Sequence, residues 1–166
     1  MSFFDRFQRS AWRLETRSFY QPDAEEFDRW QRGLTTTDGP RVRWVEQIAE
    51  ATAAGRSIGR VLVVSLPLSP YWRWRLETAH EHAAAGEDIR IAVASDHVLV
   101  VPALVALQTD FWLLDDQRLL LLDYDRDGRF IGATATDDPI VVGVCREQRN
   151  LAVASSVPLQ EFLLPA

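Results

Sequence analysis

Thr109–Gly132 reads TDFWLLDDQRLLLLDYDRDGRFIG, and this stretch decides the fold. FWLL and RLLLLDY are near-continuous apolar runs split by Asp115-Asp116-Gln117, and the turn Asp125-Arg126-Asp127-Gly128 leads into RFIGATA. Strands apolar on both faces belong inside a covered sheet, so three consecutive strands are predicted here, with helices over them. Acidic residues crowd the strand ends: Asp110, Asp115, Asp116, Asp123, Asp125 and Asp127.

Working outward, Arg60–Leu66 (RVLVVSL) reads as a buried strand and Ile89–Ala94 (IRIAVA) as another. Between them Ser69-Pro70 opens a helix, Tyr71–Ala85, with the stripe Trp72, Leu76, Ala79 and Ala83. A strand–helix–strand unit predicts parallel neighbours. Upstream, Ser2–Ser10 reads as one or two helical turns. In Ala11–Tyr20, Trp12, Leu14 and Thr16 alternate with Arg13, Glu15 and Arg17 at strand period, so Arg13 and Glu15 share a face and are expected to pair. Helices are expected after Gln21-Pro22-Asp23 and over Arg41–Ala54, joined by the loop Thr35–Pro40. Asp96–Leu107 fits a strand, a short helix or both around Pro102. A last helix, Ile140–Ala154, carries Cys145 on its apolar side, and Val157-Pro158 begins a tail.

The expected architecture is one α/β or α+β domain over residues 1–166, with a mixed sheet of about five to seven strands and packed helices. Residues 1–55 form a strand and a helical layer, and residues 56–166 the αβ core.

Composition narrows the chemistry. All 18 basic residues are arginine, so a Schiff-base lysine, a P-loop and a protein kinase are excluded. The net charge of -6 disfavours general nucleic-acid binding. A single cysteine excludes a disulfide framework and a multi-cysteine metal site. No apolar run has transmembrane length and no leader precedes the first charges, so the cytoplasm is expected. No metal or cofactor is expected. His80 and His82 are expected in solvent near a helix end, and His97 has no visible partner.

DYDRDG, Asp123–Gly128, resembles the start of a calcium loop, but its twelfth position, where a bidentate Glu belongs, is Thr134. A hairpin turn built on Asp and Gly is the reading retained. Asp115 and Asp116 are turn residues. Asp110 and Asp123 flank apolar runs, and a buried carboxylate needs a partner, for which Arg13, Arg73 and Arg90 stand in line. Tyr71-Trp72-Arg73-Trp74-Arg75 interleaves aromatic and basic residues in a way that could stack bases, against the simpler reading of core aromatics beside solvated arginines.

Taken together, SAWRLETRSFY (10–20), RVLVVSLPLSPYWRWRLETAHEHAAAGEDIRIA (60–92) and DFWLLDDQRLLLLDYDRDGRFIGATATDDP (110–139) resemble a family of small proteins of high-GC Gram-positive bacteria carried under a domain-of-unknown-function label. Members are often encoded beside helix-turn-helix regulators, which implies a regulatory role. The second half also resembles, more distantly, one half of a phospholipase-D-like domain, whose strand carries H-x-K-x-x-x-x-D. Setting that Asp on Asp116 puts Thr109 and Phe111 at the His and Lys positions, and setting it on Asp115 puts Gln108 and Asp110 there. Neither frame supplies the chemistry, so phosphodiesterase activity of that kind is expected to be absent.

The leading expectation is a non-catalytic regulatory module that binds a helix-turn-helix regulator or itself as a dimer, together with a small anionic ligand. Arg13, Arg73 and Arg90 would hold the anion, and Tyr71 and Trp112 would wall the groove. The competing expectation is an enzyme with an acid–base or metal site drawn from Asp110, Asp123 and Glu15, with Asp115 and Asp116 nearby.

Overall fold

The protein is described here by a computed structural model that covers residues 3–34, 39–94 and 109–162. The ambiguous Asp96–Leu107 segment, His97 and most of the Thr35–Pro40 loop lie outside the described residues. The elements in chain order are β1 (Ser10–Glu15), α1 (Ala24–Gln31), α2 (Pro40–Ala53), β2 (Ser57–Val64), α3 (Pro70–Ala84), β3 (Asp88–Val93), β4 (Asp110–Leu114), β5 (Arg118–Tyr124), β6 (Phe130–Thr136), α4 (Pro139–Ala154) and β7 (Val157–Pro158). A short 3-10 turn, Phe3–Arg6, precedes β1.

The seven strands form one mixed sheet in the order β6-β5-β4-β1-β2-β3-β7. β2 and β3 are parallel, as a crossover through α3 requires, and β1 is parallel to β2. β4, β5 and β6 form the expected antiparallel meander. β4 pairs antiparallel with β1, so the N-terminal strand sits in the middle of the sheet. Val157 and Pro158 form no tail. They pair with Ile91 and Arg90 as a two-residue edge strand, which is too short to leave a periodic signal.

Both faces of the sheet are covered. Leu14, Val61, Val63, Ala92, Phe111, Leu113 and Leu119 pack with Val142, Cys145 and Ala152 of α4. On the opposite face, Leu62, Val64, Ile89 and Ile91 pack with Tyr71, Trp72, Trp74, Leu76 and Ala79 of α3. Ala11, Ile58, Trp112, Leu114 and Leu120 pack there with Ile48 and Ala51 of α2. The helical face therefore carries two separate apolar clusters. What lies between them is polar.

Two acidic turns fix the ends of the meander. Asp115 and Asp116 both take positive φ, 53° and 59°, which Asp tolerates in a tight hairpin. The Asp115 carboxylate accepts hydrogen bonds from the backbone N–H of Gln8, Arg9 and Ser10 at 2.9, 2.7 and 2.9 Å, tying the hairpin to the start of β1. Burial works against this charge, yet the three N–H donors hold its pKa below the usual carboxylate value.

The Asp125 turn caps itself. Asp125 Oδ1 accepts from Asp127 N and Arg129 N, and Gly128 takes a φ of 76°. This is a hairpin turn between β5 and β6, with no calcium-loop geometry required. A Cβ on Gly128 would lie 2.4 Å from the Phe19 carbonyl oxygen. Gly128→Ala combines that clash with left-handed backbone strain, and it is expected to cost about 2–3 kcal/mol in denaturant unfolding. An unchanged unfolding midpoint would contradict the packing of this turn on the Phe19–Gln21 segment.

Candidate ligand-binding site

The polar seam on the helical face starts from strand alternation. Successive side chains point to opposite faces, so Arg13 and Glu15 share one face of β1. Register then sets Arg13 beside Arg60 on one side and beside Trp112 on the other. Both neighbours face the helices. Three arginines converge on Glu15, which is fully buried. Its Oε1 lies 3.3 Å from Arg13 Nε and 2.8 Å from Arg60 Nη1, and its Oε2 lies 2.5 Å from Arg75 Nη2 of α3.

The network extends outward from there. Arg60 Nε donates to Glu87 Oε1 at 2.5 Å, and His82 Nδ1 stands 3.5 Å from Glu87 Oε2. Arg75 Nη1 is 3.6 Å from Asp23 Oδ2, which also accepts from the Tyr71 hydroxyl at 2.6 Å. Burial alone would raise the Glu15 pKa, but Arg13, Arg75 and Arg60 hold it well below the usual range. Glu87 is likewise lowered: burial opposes its charge and Arg60 overcomes the penalty. His82 moves the other way. Its burial favours the neutral ring, so its pKa lies below the ordinary value despite Glu87. Arg13 and Arg75 are held cationic: burial opposes the charge, and Glu15 more than restores it.

This network forms the floor of a cavity of about 570 Å³, a volume in the range of small-molecule sites. Phe3, Trp44, Trp74 and Trp112 supply apolar wall, while Glu25, Glu26, Arg29 and Arg41 stand among the lining residues. The Arg13 guanidinium sits 5.4 Å from the Trp112 ring centre, so wall and floor brace each other.

The hydrogen-bond accounting is uneven. Arg60 Nη2, Arg75 Nε, His82 Nε2 and Glu26 Oε1 are buried without a hydrogen-bond partner, and all four residues line this cavity. Buried polar groups are normally paired, so several orphans around one cavity mark a place where a partner belongs.

Of the residues expected in the groove, Arg13 and Trp112 line the cavity and Tyr71, Arg73 and Arg90 do not. Tyr71 is buried among Phe19, Phe27, Trp72 and Trp74 and reaches the site only through Asp23. Arg73 is exposed on the outer side of α3, while Arg75 faces inward. Arg90 alternates onto the α4 face, where its guanidinium donates to Ser156 Oγ and Ser156 O at 3.0 and 2.9 Å.

The acidic candidates also separate. Asp110 is buried, but its partners are Thr16 N, Thr16 Oγ1 and the Tyr20 hydroxyl, and none of Arg13, Arg73 and Arg90 bonds to it. Its burial outweighs those bonds and raises its pKa. Asp123 is exposed on β5, so no burial cost arises there. Asp116 pairs with Arg149 of α4. His82, expected in solvent, is buried against the sheet with 7 % of its surface exposed, while His80 is exposed. Among the described residues no group of three or more His, Cys, Asp or Glu side chains could hold a metal ion.

Sequence reasoning missed Arg60, Arg75, Glu87, Asp23 and the Trp44 and Trp74 walls. A signal existed for Arg60: a lone charge leading a run of five apolar and small residues in a central strand has to find a buried partner.

The protein is thus defined as a one-sheet α/β chain with helices on both faces and a charged floor under an aromatic-walled cavity. It belongs to the family described as Domain of unknown function (DUF6879), whose family model matches residues 1–164. No curated protein matches the chain. Among the described residues no helix is long and apolar enough to cross a membrane.

Proposed function

We propose that this chain is a non-catalytic, ligand-responsive regulatory module. Its cavity takes a small molecule that presents an oxygen acceptor to the arginine floor and an apolar body to the tryptophan walls. The observation that carries this reading is the pair of unpartnered guanidinium donors, Arg60 Nη2 and Arg75 Nε, on residues that line the cavity. Fixed guanidinium N–H groups favour carboxylate or phosphate oxygens over neutral acceptors. Glu15 contributes by immobilising those arginines. A carboxylate held ionised by three cations makes a poor general base, which weighs against the acid–base enzyme alternative. Asp110 is similarly engaged with Thr16 and Tyr20.

The reading places ligand occupancy upstream of a partner protein, a helix-turn-helix regulator or a second copy. The β6 edge supports the partner surface: it is uncharged over Phe130–Thr136, and Ile131 is 65 % exposed. The β2–α3–β3 crossover followed by the β4–β5 hairpin supports a phospholipase-D-like ancestry without its histidine and lysine.

The test is a titration with 3-phenylpropionate followed by tryptophan fluorescence. Saturable quenching at or below millimolar concentration is expected. Trp44→Leu, which alters a half-buried wall residue, is expected to weaken it about tenfold, a change of about 1.4 kcal/mol. The absence of saturable quenching at ten millimolar would refute the binding reading.

A further inference from the structure

We infer that the ligand is a zwitterion of the amino-acid class, with a carboxylate for the arginine floor, an ammonium group for the α1 wall and an apolar side chain between the tryptophans. This inference rests on the cavity being a ligand site, as proposed above, and adds what the ligand must carry.

The unpartnered groups are of two opposite kinds. Arg60 Nη2 and Arg75 Nε are donors on cations. Glu26 Oε1 is an acceptor on a carboxylate, buried without a hydrogen-bond partner, although Arg41 Nε stands 3.5 Å from the other oxygen. All three residues line the same cavity, and Glu25 and Asp23 line it from the same stretch of chain as Glu26. The lining is therefore polarised, with carboxylates from residues 23–26 and guanidinium groups from β1, β2 and α3.

Charge balance eliminates the simpler ligands. The floor arginines already contact the carboxylates of Glu15, Glu87 and Asp23, so the floor holds no large positive excess. A simple anion would satisfy the arginine donors but bring a second negative charge near Glu26. A simple cation would satisfy Glu26 but face the guanidinium groups. A molecule carrying both charges adds no net charge and pairs both kinds of orphan.

The remaining chemistry fits the same class. Trp44, Trp74, Trp112 and Phe3 offer ring faces to an apolar side chain and to an ammonium group. His82, kept neutral by its burial, donates through Nδ1 toward Glu87, which leaves Nε2 as an acceptor on the cavity lining.

Calorimetric titration with three related probes tests this on the whole chain. L-phenylalanine carries both charges, 3-phenylpropionate lacks the ammonium group and phenethylamine lacks the carboxylate. L-phenylalanine is expected to bind at least about tenfold more tightly than either of the others, because each loses one charge-assisted contact. Glu26→Gln is expected to bring L-phenylalanine down to the affinity of 3-phenylpropionate and leave 3-phenylpropionate unchanged. Equal affinity for L-phenylalanine and 3-phenylpropionate would overturn the zwitterion and leave the cavity reading standing. Failure of all three probes to bind at millimolar concentration would overturn both.

Discussion

Glu15→Gln is expected to lower stability by about 3–5 kcal/mol, because breaking a buried ion network leaves uncompensated charge in the core. Arg13, Arg60 and Arg75 all lean on this one carboxylate, and none can lose its proton to escape. Glutamine keeps the shape and the hydrogen-bonding carbonyl but removes the charge. For a domain of this size the loss corresponds to a fall in Tm of roughly 6–20 °C. The pH profile gives a second handle. The Glu15 pKa is lower in the folded chain than in the unfolded one. Its stabilisation is therefore complete above the unfolded value, about 4.3, and is lost as pH falls below it. Because the folded value lies far lower, the loss spreads across the acid range, and Glu15→Gln should flatten that limb. A destabilisation below about 1 kcal/mol would mean that the network is solvated, as surface pairs are.

Trp112→Ala is expected to cost a similar amount, about 3–5 kcal/mol, the usual penalty for deleting a buried large aromatic. The ring is 5 % exposed and sits 4.5 Å from Phe3 and 5.9 Å from Trp44, centre to centre. It also faces the Arg13 and Arg60 guanidinium groups at 5.4 and 6.0 Å. Its loss would therefore open the apolar wall and loosen the floor together. Trp112→Phe keeps an aromatic face and should recover most of the stability. Chemical denaturation of the two variants side by side checks this, and equal losses would mean that ring stacking contributes little.

Much of the fold was legible because it rests on local patterns. The apolar runs of β4 and β5 announce a sheet covered on both faces. The crossover through α3 dictates parallel β2 and β3, and the Asp-rich turns keep to turn chemistry. The site was only partly legible because it depends on phase and register between distant segments. Arg73 and Arg75 are two residues apart, but in a helix that spacing turns a side chain most of the way to the opposite side. Arg75 enters the site and Arg73 does not. Arg90 fails for the equivalent reason in a strand: Ile89 and Ile91 take the helical face, so Arg90 must take the other. The alternation in β1 was visible, but the polar face of an alternating strand usually meets water. Here α2 and α3 cover it, and the Arg13–Glu15 pair becomes the centre of a buried network through Arg60, a residue 45 positions beyond Glu15. No periodicity encodes that contact.

The central claim is that the cavity above Glu15 and its arginines is a ligand site. A crystal structure of the protein soaked with 3-phenylpropionate tests it most directly. The account predicts the carboxylate within hydrogen-bond distance of Arg60 Nη2 or Arg75 Nε, with the phenyl ring among Trp44, Trp74 and Trp112. A cavity without the compound, or with the phenyl ring against the guanidinium floor and the carboxylate in solvent, would contradict it.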